Sequence, residues 1–298
     1  MKKLFLLLAF MTLSLTQGMA ENVIKLTTAL KAGSTICFSV NGENVTVEGA
    51  DEVSPNEYTV KNQTITIKGK VFILNCYGAE LTALDLSQCT TLTTLRCQDN
   101  KLTSLDLSKN TKIQTIDCSK NKLNSLSNLS TNTELSTLYC WGNELTTLDL
   151  SKNNKLADLH CSSNKLKDLK LPANVAKMNN LDFGNNNLSG TVIDNIINSL
   201  PVLDAYRDFT CYYVGATENN VITKKQVEAA KKKNWIAQSF DPKTIERKDY
   251  EGTIDASING VSAGINDENA PTYNLSGQKV GKDYKGVVIK NGKKFIQK

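Results

Sequence analysis

The sequence predicts a β-rich α/β solenoid: a right-handed leucine-rich-repeat coil of about six to seven repeats of 21–22 residues, with an N-terminal β cap and a C-terminal helix–strand cap. Three observations carry this. Residues 92–112, LTTLRCQDNKLTSLDLSKNTK, follow L-x-x-L-x-C-x-x-N-x-L and then x-x-L-D-L-S-x-N, and the pattern returns down the middle of the chain. A cysteine column, Cys76, Cys97, Cys118, Cys140 and Cys161, recurs at intervals of 21, 21, 22 and 21 residues. A sixth copy keeps the frame with Phe183 in the cysteine's place, and a degenerate seventh begins near Leu200.

The first 20 residues of the 298 read as a secretory signal peptide. Lys2 and Lys3 form its basic end, Leu4 to Leu15 its apolar run, and Gly18-Met19-Ala20 its cleavage site. No later run reaches the ~18 apolar residues that a membrane span needs. An exported chain, secreted or at the cell surface, is therefore expected. Losing Lys2 and Lys3 lowers the formal charge from +5 to +3 (33 basic against 30 acidic residues), too little to imply nucleic acid. The basic run Lys231-Lys232-Lys233 ends an expected helix, where cations suit the helix dipole.

Residues 21–70 carry no repeat. Their β-branched runs, Val23–Thr28, Thr35–Val40, Asn44–Glu48 and Thr64–Lys68, are divided by turn signals at Asn41-Gly42 and Ser54-Pro55-Asn56. A solenoid exposes an apolar end unless a terminal element covers it, so this unit is expected to cap the coils. The repeats are assigned to 71–215. Within each, the leucines and the cysteine point inward, and the short L-x-C strands stack in parallel. The asparagine column, Asn100, Asn121, Asn143, Asn164 and Asn186, follows each strand, where an amide can both donate to and accept from backbone of adjacent coils. Extra residues at Ser127-Asn128-Leu129 and Pro172-Ala173-Asn174 are expected as bulges on the outer side.

Thr191–Ser199 has helical spacing, with Ile193, Ile196, Ile197 and Leu200 on one face. A further strand is expected at Leu200–Tyr206. A helix N-capped by Thr223 and running to about Lys233 then precedes a strand at Trp235–Phe240, giving a cap over 216–241. Residues 242–267 are polar enough for a linker. The tail, 268–298, has turn signals at Ser276-Gly277 and Asn291-Gly292, the second predicting a hairpin of Gly286–Lys290 with Lys294–Gln297.

Eight cysteines in an exported chain ordinarily suggest disulfides. Stacked parallel strands, however, place equivalent residues side by side about 4.8 Å apart, whereas a disulfide needs converging Cβ vectors. The column is therefore expected to be buried thiols acting as small apolar fillers. A line of thiols on separate coils also gives zinc no tetrahedral convergence, so no metal is expected. Cys89 stands where other coils have Asn110 and Asn153, on the outer side; Cys37 and Cys211 fall in opposite caps, too far apart to pair.

Enzymatic chemistry finds little support. His160 is the single histidine, with no nucleophile elbow or glycine-rich phosphate loop beside it. Asp85, Asp106 and Asp149 recur with the repeat frame, as turn or edge residues do. The expectation is a non-enzymatic protein without cofactor. What remains is the concave sheet, whose outward positions flank the inward ones with period two. Candidate ligand-binding residues there are Tyr77, Arg96, Gln98, Asp117, Tyr139, Trp141, His160, Asp182 and Tyr206. Tyr, Trp and Arg are the types that carry binding energy at interfaces; Tyr139 and Trp141 either do this or shield the sheet from water. Two functions follow. One is recognition of a protein or glycan ligand by the concave face of a monomer. The other is a structural or assembly role at the cell surface, acting through the caps and the tail.

Nearly the whole chain after residue 20 resembles the secreted leucine-rich-repeat proteins of Bacteroidetes. The residues that carry the likeness are ENVIKLTTALKAGSTICF, coils such as LSTLYCWGNELTTLDLSKN, and AAKKKNW. The coil period also resembles internalin-type repeats of surface proteins. The tail, Tyr273-Asn274-Leu275-Ser276-Gly277-Gln278 through Lys285-Gly286 to Asn291-Gly292-Lys293-Lys294, resembles the end of C-terminal sorting domains used for type IX export, shortened to its closing strands. The resemblance implies an exported cell-surface or secreted binding protein of a bacterium and names no ligand.

Overall fold

The computed structural model describes residues 22–126, 128–172, 178–214, 219–253, 272–274, 279–281, 286–290 and 293–297. The expected signal peptide lies outside the described residues, as do Ser127, Ala173 and Asn174.

Six strands precede the coils: β1 Val23–Thr28, β2 Thr35–Cys37, β3 Ser39–Glu48, β4 Ala50–Ser54, β5 Glu57–Val60 and β6 Thr64–Asn75. β6 is the hinge of the architecture. Its first half pairs antiparallel with β1 and the stretch from Thr66 to Asn75 with β3, while its last residues, Ile73 to Asn75, pair parallel with the first coil strand. The boundary expected between residues 70 and 71 thus falls inside one continuous strand. Asn41-Gly42 is not a turn either. It is a register shift within β3, where the Gly42 Cα lies so close to the β6 backbone that a Cβ would sit 2.5 Å from the Lys70 carbonyl oxygen. β2, β5 and β4 form a separate sheet, and Phe38 stacks on Tyr58 at 4.1 Å.

The coil region contributes β7 Leu81–Asp85, β8 Thr94–Arg96, β9 Thr115–Asp117, β10 Thr137–Tyr139, β11 Thr147–Asp149, β12 Asp158–His160, β13 Asp168–Lys170 and β14 Asn180–Asp182. β6, β8, β9, β10, β12 and β14 stack in parallel with leucine or isoleucine in register: Leu74, Leu95, Ile116, Leu138, Leu159 and Leu181. This is a leucine-rich β-solenoid. Its core holds the leucines and the five cysteines of the column, all fully buried. None of the eight cysteines is disulfide-bonded. Burial pushes the Cys76 thiol up to about 12, so the column carries no thiolate at neutral pH.

The asparagine column performs the same act in every coil. Asn121 accepts from the Leu102 N–H at 3.0 Å and donates to the Cys97 and Cys118 carbonyls at 3.0 and 3.1 Å. Asn100, Asn143, Asn164 and Asn186 repeat these bonds, each in its own coil. The residue before each adopts a left-handed backbone: Asp99, Lys120, Gly142, Ser163 and Asn185, with φ between 50° and 68°. This turn is what carries the chain off the sheet. A second column stands elsewhere on the coil. Cys89, Asn110, Asn132 and Asn153 are completely buried, which corrects the outer-side placement expected for Cys89. Asn132 donates to the Leu107 and Asn110 carbonyls at 3.1 and 2.9 Å, tying its coil to the one before. A short 3-10 turn, Leu129–Thr131, precedes it and buries Leu129.

Past the coils come α1 Thr191–Ser199, β15 Arg207–Tyr213, α2 Lys224–Lys231, β16 Trp235–Asp241 and β17 Glu246–Asp249. The α1 bounds match the sequence reading, and Ile193, Ile196 and Ile197 are buried. α2 starts from Thr223 with a full capping box to Gln226. No strand forms at Leu200–Tyr206. Pro201 lacks an N–H, and the segment's carbonyls are used by side chains instead: Lys233 Nζ donates to Leu200 O at 2.8 Å, and Trp235 Nε1 to Pro201 O at 2.9 Å. The strand lies at β15. There Cys211 follows Phe183 in the cysteine column, since Phe183 N bonds Thr210 O as Cys161 N bonds Asp182 O. Asn220 extends the asparagine column, accepting from Leu188 N at 2.9 Å and donating to Phe183 O and Cys211 O. β17 pairs antiparallel with β16, so the segment after Pro242 begins as a hairpin and not as linker.

In the tail, β18 Thr272–Asn274, β19 Lys279–Val280, β20 Gly286–Lys290 and β21 Lys293–Gln297 form a four-stranded sheet. β20 and β21 pair antiparallel with Lys290 opposite Lys293, the hairpin the sequence predicts.

Candidate functional site

The exposed face of the parallel sheet presents two columns, one residue before and one after each inward cysteine. Tyr77 and Arg96 are exposed near its first coils; Gln98 and Asp117 are half-buried. Asp117 is held by its own turn, accepting from the Ser119 N–H at 3.1 Å and the Ser119 hydroxyl at 2.6 Å. Tyr139 and His160, neighbours in the parallel register, meet with ring centroids 4.8 Å apart. Burial, with Asp158 and Asp117 beside it, pushes the Tyr139 phenol above its usual value. Trp141 is half-buried with the Lys120 ammonium 5.2 Å from its ring centre, a cation–π pair that holds the indole against the turn.

Two expected members differ. Tyr206, 68% exposed, stands on the loop before β15 and not on the sheet face. Asp182 keeps its place on the sheet but is only 6% exposed, because Tyr213 covers it. The Tyr213 hydroxyl donates to Asp182 Oδ2 at 2.9 Å and lies 3.1 Å from the Ser162 hydroxyl, while the Gly184 N–H donates to Asp182 Oδ1 at 3.1 Å.

Tyr213 reaches this position through a β-bulge. The β15–β16 register shifts between Thr210 and Tyr212, skipping Cys211. Strict alternation would aim Tyr212 at the concave face. Instead Tyr212 stacks on Tyr250 at 5.0 Å, and Tyr213 lies back across Gly184. Only glycine permits this, since a Cβ at 184 would overlap the Tyr213 ring. Gly184→Ala is expected to lift Tyr213 off Asp182 and to cost about 1–3 kcal/mol as an overpacked site. Urea unfolding checks the cost, and a fall in the protected tyrosine signal on phenol titration checks the displacement.

Between Trp141 on the β10 coil and Tyr213, Phe240 and Pro242 beyond β14 lies a groove of about 450 Å³. His160, Ser162, Ser163, Asp182 and Asn185 line its middle. Phe240 packs edge-on against Tyr213 at 5.2 Å, and the Arg247 guanidinium lies 5.8 Å from the Phe240 ring centre. Tyr213, Asn185, Phe240 and Pro242 were not singled out by sequence reasoning. The two left-handed turn residues, Ser163 and Asn185, could have been found from the repeat frame, because each precedes a column asparagine.

Burial is the main cause that raises the Asp182 carboxyl above the ordinary carboxylate range; the Tyr213, Gly184 and His160 contacts oppose it incompletely. Raised folded pKa means that the folded state binds the proton more tightly than the unfolded chain. This contribution is complete below the unfolded value, near pH 4, and is lost as pH rises through the folded value. Asp182→Asn removes that titration. The stability of wild type relative to Asp182→Asn should therefore fall from about pH 4 upward and then level off; melting curves at several pH values read it.

Among the described residues no cluster of His, Cys, Asp and Glu could hold a metal ion, and no helix is long and apolar enough to cross a membrane. No family model matches the chain. No curated protein matches it. Among solved structures, it is similar to the functional domain of InlJ from Listeria monocytogenes, described as including a cysteine ladder, at 30% identity and a TM-score of 0.37. That alignment covers 50% of this chain and 37% of the other. An internalin, InlF, from the same species aligns at 20% identity with a TM-score of 0.42, over 51% of this chain and 44% of its own. The chain spans less than half the length of either protein.

Proposed function

We propose that the protein is a non-enzymatic recognition module that binds a protein or glycan partner through the concave sheet of its solenoid, at the stretch around Tyr139, Trp141 and His160. The observation that carries this reading is the placement of two large aromatic side chains, half-buried and braced, on adjacent columns of the exposed sheet face. Tyr139 is braced by His160, Trp141 by Lys120. Rigid, partly solvated aromatics of this kind anchor interfaces at low entropic cost. In this reading the coil is right-handed, six to seven repeats long, and capped by the β1–β6 unit and the α2–β16 helix–strand unit. The chain is exported by residues 1–20, and works as a monomer at or beyond the cell surface.

A screen of residues 21–298 against extracellular-matrix proteins and a glycan array tests the proposal. Saturable binding by the folded protein is expected; silence across both panels overturns it. A second reading draws on the tail, whose strands β18–β21 form a four-stranded sheet and whose sequence resembles the closing strands of a sorting domain. It makes the protein an assembly component acting through its tail. Deleting 268–298 should then change cellular distribution while the solenoid stays folded, and an unaltered distribution rejects it.

A further inference from the structure

The groove beside Trp141 has a definite chemical character. Its two ends are apolar, the indole on one side and the Tyr213–Phe240–Pro242 cluster on the other, and its middle is polar. About 450 Å³ is within the range of small-ligand pockets, ~300–1,000 Å³. Its polar lining is hydroxyl, amide and imidazole: Ser162, Ser163, Asn185 and His160. Such groups supply donors and acceptors together.

The charges around the groove select against ions of either sign. Asp182 is the carboxylate in the lining, and both its oxygens are engaged, by Tyr213 and by the Gly184 N–H. It therefore offers little to a cation, which would also meet Lys120 on the Trp141 ring and Arg247 on the Phe240 ring. An anion would lie in the field of the buried Asp182 carboxyl, with Asp158 beside Tyr139. What fits is a neutral ligand with an apolar face and a rim of hydroxyls.

A pyranose ring has that form. Its C–H face packs on an aromatic plane, and its equatorial hydroxyls exchange hydrogen bonds around the edge. We propose that the groove is a saccharide subsite, taking one neutral pyranose unit stacked on Trp141 with its hydroxyls toward His160, Ser163 and Asn185. This rests on the concave-face reading above and gives its ligand a class. Tyr213 acts here as a positioning residue. Held down by Gly184 and Asp182, it closes the far end of the groove and fixes the Ser162 hydroxyl.

The test is NMR titration of residues 21–298 with glucose, galactose, mannose and N-acetylglucosamine, with lysine methyl ester and N-acetylneuraminic acid as charged probes. The chain has two tryptophans, and Trp235 is 0% exposed, so its indole N–H is an internal control. The Trp141 indole should shift saturably with at least one neutral sugar at millimolar concentration, while Trp235 stays still. Trp141→Ala should abolish saturation transfer to that sugar, and Asn185→Ala should weaken binding about tenfold or more. No shift with any neutral sugar overturns the inference, as does a response to a charged probe alone. A folded protein that captures a matrix protein through Tyr139 and Trp141 while ignoring every sugar loses the saccharide subsite and keeps the concave-face reading.

Discussion

Replacing Asn121 with leucine should destabilise the protein by about 3 kcal/mol or more, although leucine is the more hydrophobic residue and of similar size. The reason is the backbone. Asn121 is the acceptor for the Leu102 N–H and a donor to the Cys97 and Cys118 carbonyls. Each buried polar group left unpaired costs about 1–3 kcal/mol, and leucine orphans the N–H outright while weakening two carbonyls. The apolar gain from a site already 8% exposed is small by comparison. The second column gives an internal comparison. Asn132 donates to two carbonyls, but its own Oδ1 is buried with no partner among the described residues. Asn132→Leu therefore removes an unsatisfied acceptor together with its bonds and should cost clearly less than Asn121→Leu. Urea midpoints for both variants, at constant m-value, decide the order. Equal costs would mean that the columns stabilise only by filling space.

The second large effect is on binding. Alanine at both Tyr139 and Trp141 should reduce affinity for a captured partner at least a hundredfold, about 2.7 kcal/mol or more, the scale of interface hot spots. The same variant should melt close to wild type. Neither ring belongs to the core; each leans on a surface neighbour, His160 or Lys120. Losing such contacts costs a few tenths to about 1 kcal/mol each. Large loss of binding with little loss of stability separates a recognition role from mere shielding of the sheet, for which affinity would be indifferent to both rings.

The coils were legible because each repeat states its own rule several times. The leucines, the cysteines and the column asparagines each appear at a fixed interval, and the structure uses all three as the spacing implies. Legibility failed where the interval broke. Cys211 lies 28 residues after Phe183, because α1 and the loop after it replace a short convex segment; it was therefore assigned to a cap, although it continues the column. Asn220 was lost for the same reason. Tyr213 was beyond reach even with the frame in hand. Alternation points to Tyr212, and the bulge at Cys211 that overrides it lies in the pairing of β15 with β16, which is non-local. The burial of Asp182 follows from that one displacement. At the other end, Asn41-Gly42 has the composition of a hairpin turn, but the residue is needed where β3 crosses Lys70 too closely for a side chain.

Amide hydrogen exchange of the protein, alone and saturated with a partner captured from the matrix panel, tests most directly whether the concave sheet is the binding face. Recognition there predicts added protection confined to the β10 and β12 strands and the turns that follow them, residues 137–143 and 158–164, with the β1–β5 unit and the β18–β21 sheet unchanged. Protection that appears at those terminal units instead, and leaves 137–143 and 158–164 as they were, would contradict it.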